Sequence, residues 1–105
     1  VARTLYVGND HDVEVPSIVI SLTGVEITNA TVTWTLLDAA DTELGTGSLA
    51  YDGTREQYEG AIPSSDFDDQ TIGAVLKLKV TATSGGYNAE WLDDRCTIKA
   101  RPFEI

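Results

Sequence analysis

The stretch AVLKLKVTAT (Ala74–Thr83) alternates apolar and polar side chains along its whole length. On a helix its apolar residues would spread around the axis and leave no dry face. On a strand Leu76, Leu78, Val80 and Ala82 fall on one side, with Lys77, Lys79, Thr81 and Thr83 on the other. The same period of two runs through ATVTWTLL, where Val32, Trp34 and Leu36 oppose Thr31, Thr33 and Thr35. It returns in CTIKA, where Cys96, Ile98 and Ala100 oppose Thr97, Lys99 and Arg101. Apolar spacings of three and four never persist over three turns, so the pattern predicts half-buried strands rather than helices.

Shorter strands are expected at Thr4–Gly8, Ser17–Leu22, Glu43–Tyr51, Glu56–Ile62 and Tyr87–Leu92. Two glycines in the Glu43–Tyr51 segment predict a bend or bulge, and Pro16 predicts an edge strand or bulge nearby. Turns recur every 8–12 residues at GNDHD, TGVEITN, DAADTE, YDGTRE, PSSDFDDQT and SGG. Asp52-Gly53 and Gly85-Gly86 are hairpin signals. PSSDFDD is expected to form one helical turn capped by a serine side chain. The 105 residues suit one domain, residues 1–105, with a single core. The expected fold is therefore all-β, an immunoglobulin-like antiparallel β-sandwich of about seven or eight strands. Trp34 and Trp91 are expected between its two sheets.

Charge narrows the partners. The chain carries a net charge of −10, which opposes any phosphate-neutralising surface, so no nucleic acid is expected as a partner. No apolar run approaches the roughly 20 residues of a membrane helix, so no membrane partner is expected either. The opening residues show no signal-peptide pattern. The chain starts at Val1 without Met, which suits removal of an initiator or a trimmed chain. With one cysteine, Cys96, an internal disulfide is excluded and assembly in a reducing cytosol is expected.

The reactive residues are few. His11, in a polar turn, is the one histidine, and Cys96 alternates toward the predicted core. Neither is placed by sequence next to a nucleophile or base, and one His with one Cys makes no zinc site without several carboxylates. Asp66, Asp68, Asp69, Asp93, Asp94, Asp10 and Asp12 are calcium candidates by charge, but none lies in an EF-hand pattern. Solvated loop acids are the preferred reading. No catalytic residue, cofactor site or metal site is assigned, and an enzyme is not expected.

The basic residues form a pattern. Residues 1–76 hold 13 acids and two bases, and residues 77–105 hold four acids and five bases. Lys77 and Lys79 alternate outward on one predicted strand, Lys99 and Arg101 on another. If those strands pair, the four cations share a face that suits an acidic partner or the acidic half of a neighbouring copy; the competing reading is a solvated face whose lysines discourage aggregation. Phe103 and Ile105 follow Pro102 at the C-terminal tip. They either dock on a neighbour or complete the chain's own sheet.

The order of these segments resembles small immunoglobulin-like proteins of tailed bacteriophages and prophages, encoded among virion structural genes. The similarity rests on Thr33–Asp38 in TWTLLD, Tyr58–Pro63 in YEGAIP and Val80–Trp91 in VTATSGGYNAEW. It departs at AVLKLKV, which lacks an early tyrosine, so the tyrosine-corner bond of that strand is not expected. The resemblance implies a non-enzymatic virion protein making capsid, connector or tail contacts. Its partners would be other virion proteins, and it would be present in many copies or as a homo-oligomer, assembled in the host cytoplasm. A second reading is an immunoglobulin-like binding module of a bacterial surface or extracellular protein, with Tyr51, Tyr58 and Tyr87 available to stack on sugar rings.

Overall fold

A computed structural model describes residues 3–15, 18, 24 and 26–99, apart from the side chains at positions 87 and 94. The expected strand at Ser17–Leu22, the irregularity at Pro16, and Arg101, Phe103 and Ile105 lie outside the described residues.

Among the described residues there are seven strands: β1 (Arg3–Tyr6), β2 (His11–Val15), β3 (Thr31–Leu37), β4 (Glu43–Asp52), β5 (Gln57–Ile62), β6 (Val75–Ser84) and β7 (Tyr87–Lys99). They run in the order β1-β7-β6-β3-β4-β5-β2. The all-β prediction holds, and the pairing explains how one sheet makes two layers. The first part of β4 pairs with β3, up to Leu49 opposite Val32, and its last residues, Ala50–Asp52, pair with β5. β4 thus passes from one layer, β1-β7-β6-β3, into the other, β5-β2. Such a strand switch folds one continuous sheet over on itself, as at the corners of β-sandwiches and barrels.

One pairing differs from the antiparallel expectation: β1 runs parallel to β7, with Arg3 opposite Cys96 and Leu5 opposite Ile98. The direction of β7 is imposed by its hairpin with β6. The chain leaves β1 through a turn in which Asn9 N–H donates to the Tyr6 carbonyl, then enters the other layer as β2. β1 is therefore free to fill the edge beside β7, whichever way it points.

The core follows the alternation. Val32, Trp34 and Leu36 of β3 and Leu76, Leu78, Val80 and Ala82 of β6 are buried, as are Cys96 and Ile98 of β7. Val13, Tyr58 and Ile62 come from the second layer, and Phe67 closes one end. Trp34 is 2% exposed, but Trp91 is 44% exposed, contrary to the prediction. Trp91 sits opposite Val80 and so shares its inward side, near the hairpin tip, where its ring is not fully covered. The expected strands at Tyr87–Leu92 and, as far as Lys99, Cys96–Ala100 are one element, β7, with a register shift opposite Leu76–Leu78; Ala100 lies outside the described residues. Such a bulge lets both halves keep their inward residues inward.

Tyr58, expected as an exposed sugar platform, is buried. Its hydroxyl donates to the Ile27 carbonyl at 2.6 Å and accepts from Ala30 N–H at 3.1 Å. Its ring meets Tyr51 edge-on at 5.1 Å. The latch missing from β6 thus exists on β5, tying the segment before β3 to the second layer. Tyr58→Phe is expected to lower unfolding free energy by about 1–2 kcal/mol, since two backbone groups lose a partner; a urea titration measures it.

The Ser64–Asp66 segment forms one 3₁₀ turn, but no side chain caps it. The expected serine cap is replaced from a distance: Asp10 Oδ1 accepts the Ser64 N–H at 2.9 Å. Asp68 Oδ1 reciprocates by accepting Gly8 N–H at 2.9 Å. Two acids thereby staple two loops.

Candidate interaction surface

β6 and β7 do pair, so Lys77, Lys79 and Lys99 share the outer face of the first layer. They are spread out rather than clustered. Lys77 is bound to Asp41 at 2.7 Å, Lys79 is half-buried between Thr35 and Leu92 in register, and Lys99 lies beside Tyr6. Around them the face is rich in hydroxyls. Thr33 and Thr81 share a hydrogen bond at 2.7 Å, and Thr46 Oγ1 donates to the Trp34 carbonyl at 2.9 Å. These bonds hold a polar platform, the behaviour expected of threonine on an outward sheet face.

Apolar side chains break that polarity in two places. Tyr6, Ile72 and Val75 are exposed near Lys99, and Leu92, opposite Lys79, stands 57% exposed on β7, while its neighbour Trp91 is exposed on the other, inward side. Sequence reasoning missed Trp91 and Leu92 as surface residues because alternation assigns a side but not whether that side is covered.

His11 is not in a turn. It is the first residue of β2, opposite Ile62, and it shares the inward side with Val13. There it meets β1 and β7, which belong to the other layer. Arg3 Nε donates to Asp93 Oδ2 at 2.8 Å, and Arg3 Nη1 reaches His11 Nε2 at 3.3 Å. Because a guanidinium only donates, His11 must accept at Nε2 and carry its proton on Nδ1. The trio bridges the two ends of the sheet order, β1 and β2, where no backbone ladder joins them. Within it the imidazole lone pair and the carboxylate are both engaged by Arg3.

Burial pushes the His11 pKa below the ordinary 6.5, and the Arg3 charge lowers it further, against the opposing pull of Asp12 and Asp93. The unfolded chain therefore takes up this proton more readily than the folded one. The corresponding stability is complete above the unfolded value and is lost as pH falls through the depressed folded value. Urea midpoints are expected to fall between about pH 7.5 and about pH 5, and His11→Gln is expected to flatten that slope.

The calcium candidates are dispersed. Asp10 and Asp68 cap backbone N–H groups, and Asp93 holds Arg3. Among the described residues no three of His, Cys, Asp and Glu gather closely enough to hold a metal ion. Cys96 is buried, with its thiol 3.6 Å from the Asp93 carbonyl. A shallow concavity of about 410 Å³ lies over β2 and β5 and is lined by Asp12, Glu14, Arg55 and Glu59 among others. Arg55 and Gln57 both bind Glu59 there, at 3.3 and 2.7 Å. That offsets the direct opposition of Glu14 and Glu59 across the strands.

No family model, curated protein or solved structure matches this chain.

Proposed function

We propose that the chain is a non-enzymatic structural protein of a tailed-phage virion, making protein–protein contacts in a capsid, connector or tail. The family resemblance of TWTLLD, YEGAIP and VTATSGGYNAEW motivates the setting. The observation that carries the contact role is the pair of exposed apolar side chains, Trp91 and Leu92, on a strand edge of a well-packed domain. Large apolar groups at a sheet edge favour a partner over water. A rigid sandwich repeated over a symmetric particle turns a modest contact into high avidity.

The competing sugar-binding reading loses one of its platforms, since Tyr58 is buried and latched to Ile27 and Ala30. The test is to express the chain with an affinity tag during phage growth and purify particles on a density gradient. The tag is expected in the particle band at a fixed ratio to the major capsid protein. A tag found only in the soluble fraction, together with retention of the purified chain on a glycan array, would replace this reading with the sugar-binding one.

A further inference from the structure

β1 pairs only with residues 96–99 of β7, so among the described residues 87–95 have a ladder on one side only, toward β6. We propose that this open edge of β7 is a self-association site, where two copies join antiparallel about a two-fold axis at Trp91 into one continuous sheet.

The hairpin fixes which backbone groups are on offer. Gly85 and Gly86 both have positive φ, 53° and 91°, and Ser84 pairs with Tyr87, so the turn is the two-residue type that twists with its strands. The pair flanking such a turn is hydrogen-bonded, and bonding then alternates. Residues 87, 89 and 91 therefore bond to β6, and residues 88, 90 and 92 turn their N–H and C=O groups to the open side.

Side chains select the register and the occupant. A two-fold axis perpendicular to the sheet must pass beside one residue. Centred on Trp91, it sets Trp91 against Trp91, Glu90 against Leu92 and Ala89 against Asp93, with no carboxylate facing another. Centred on Glu90, it sets two carboxylates face to face, which is unfavourable. Centred on Leu92, it sets Trp91 against Asp93, which Arg3 already holds. With Trp91 at the centre, residues 90 and 92 exchange bonds across the axis, and Trp91 occupies a non-hydrogen-bonded pair, where side chains approach most closely. Both exposed apolar residues of the edge are then covered by the same partner.

The opposite edge of the sheet is built differently. β2 alternates Asp12 and Glu14 outward, and such charges discourage edge pairing. Between Tyr87 and Leu92 the one charged residue is Glu90, and there is no Lys or Pro. Self-pairing draws on the same exposed residues, Trp91 and Leu92, as the particle reading, but names a second copy as their cover and is tested on the purified chain alone.

Sedimentation of the purified chain is expected to show a concentration-dependent monomer–dimer equilibrium. Trp91→Lys is expected to weaken it by at least about tenfold with an unchanged far-UV spectrum, because the ring it replaces is 44% exposed and lies outside the buried core. The register is read by cross-linking. Trp91→Cys is expected to form a disulfide dimer under diamide, since the two α-carbons of a non-hydrogen-bonded pair lie about 4.5 Å apart. Ala89→Cys is expected to remain uncrosslinked, its copies being roughly 14 Å apart along the strands. The native thiol, Cys96, is buried and gives no background. A wild-type chain that stays monomeric at about 1 mM, more than 10²-fold above a micromolar dissociation constant, would overturn the proposal. So would Ala89→Cys cross-linking as fast as Trp91→Cys.

Discussion

Trp34→Ala is expected to lower the unfolding free energy by about 3–5 kcal/mol, the largest effect of any single truncation in this core. The indole is buried, and it lies over Gly47, its antiparallel partner on β4. A β-carbon at position 47 would sit 2.6 Å from the indole Nε1. Gly47→Ala is therefore expected to cost about 1–3 kcal/mol by forcing the ring aside. The two changes are coupled: with the indole gone, the methyl at 47 enters vacated space. The double variant should fall short of the sum of the single losses by at least about 0.5 kcal/mol. Urea unfolding of the four proteins, at constant denaturant dependence, measures this. Strict additivity would mean that the ring does not rest on Gly47.

That pair also shows what the sequence makes legible. The alternation in TVTWTLL and VLKLKVTAT locates β3 and β6 and their buried faces, because burial on one side of a strand leaves a period-two signature. The two glycines of GTGS announce an irregular strand, but not that one of them seats a tryptophan from β3. That depends on cross-strand register, which no local pattern encodes. The alternation in HDVEV was equally available and places His11 on the same side as Val13 and Val15. It is masked by the turn-like composition of GNDHD. The strand switch within β4 and the parallel seat of β1 depend on which edges remain open once the hairpins have formed.

The candidate surface was legible in smaller part. Lys77, Lys79 and Lys99 do share a face, because pairing of β6 with β7 follows from their glycine hairpin. The exposure of Trp91 and Leu92 was not legible, since it depends on where the second layer ends. The Arg3–His11–Asp93 contact joins residues from three strands, and no spacing rule links them.

Breaking that contact carries the second large expected effect. Arg3 and Asp93 are 28% and 14% exposed at their side chains, so neither charge is fully hydrated. Arg3→Met leaves the deeper charge behind: Asp93 keeps only a long bond from Arg95 N–H, at 3.4 Å, among its described partners. Asp93→Ala leaves the guanidinium, whose flexible stem lets it turn toward water. The expected losses are about 2–3 kcal/mol for Arg3→Met and about 1–2 for Asp93→Ala, below the ~3–5 typical of a fully buried pair. For a domain of this size the larger loss lowers the thermal midpoint by roughly 10–20 °C. Replacing both partners with apolar residues, Arg3→Met with Asp93→Leu, should recover most of the loss, because no uncompensated charge remains. His11 reports the same change through its titration. Without the Arg3 cation, one of the two influences depressing its pKa is gone while Asp12 and Asp93 still favour the imidazolium. The acid-side loss of stability should therefore shrink in Arg3→Met relative to wild type. An unchanged pH slope in that variant would show that the guanidinium does not act on the imidazole.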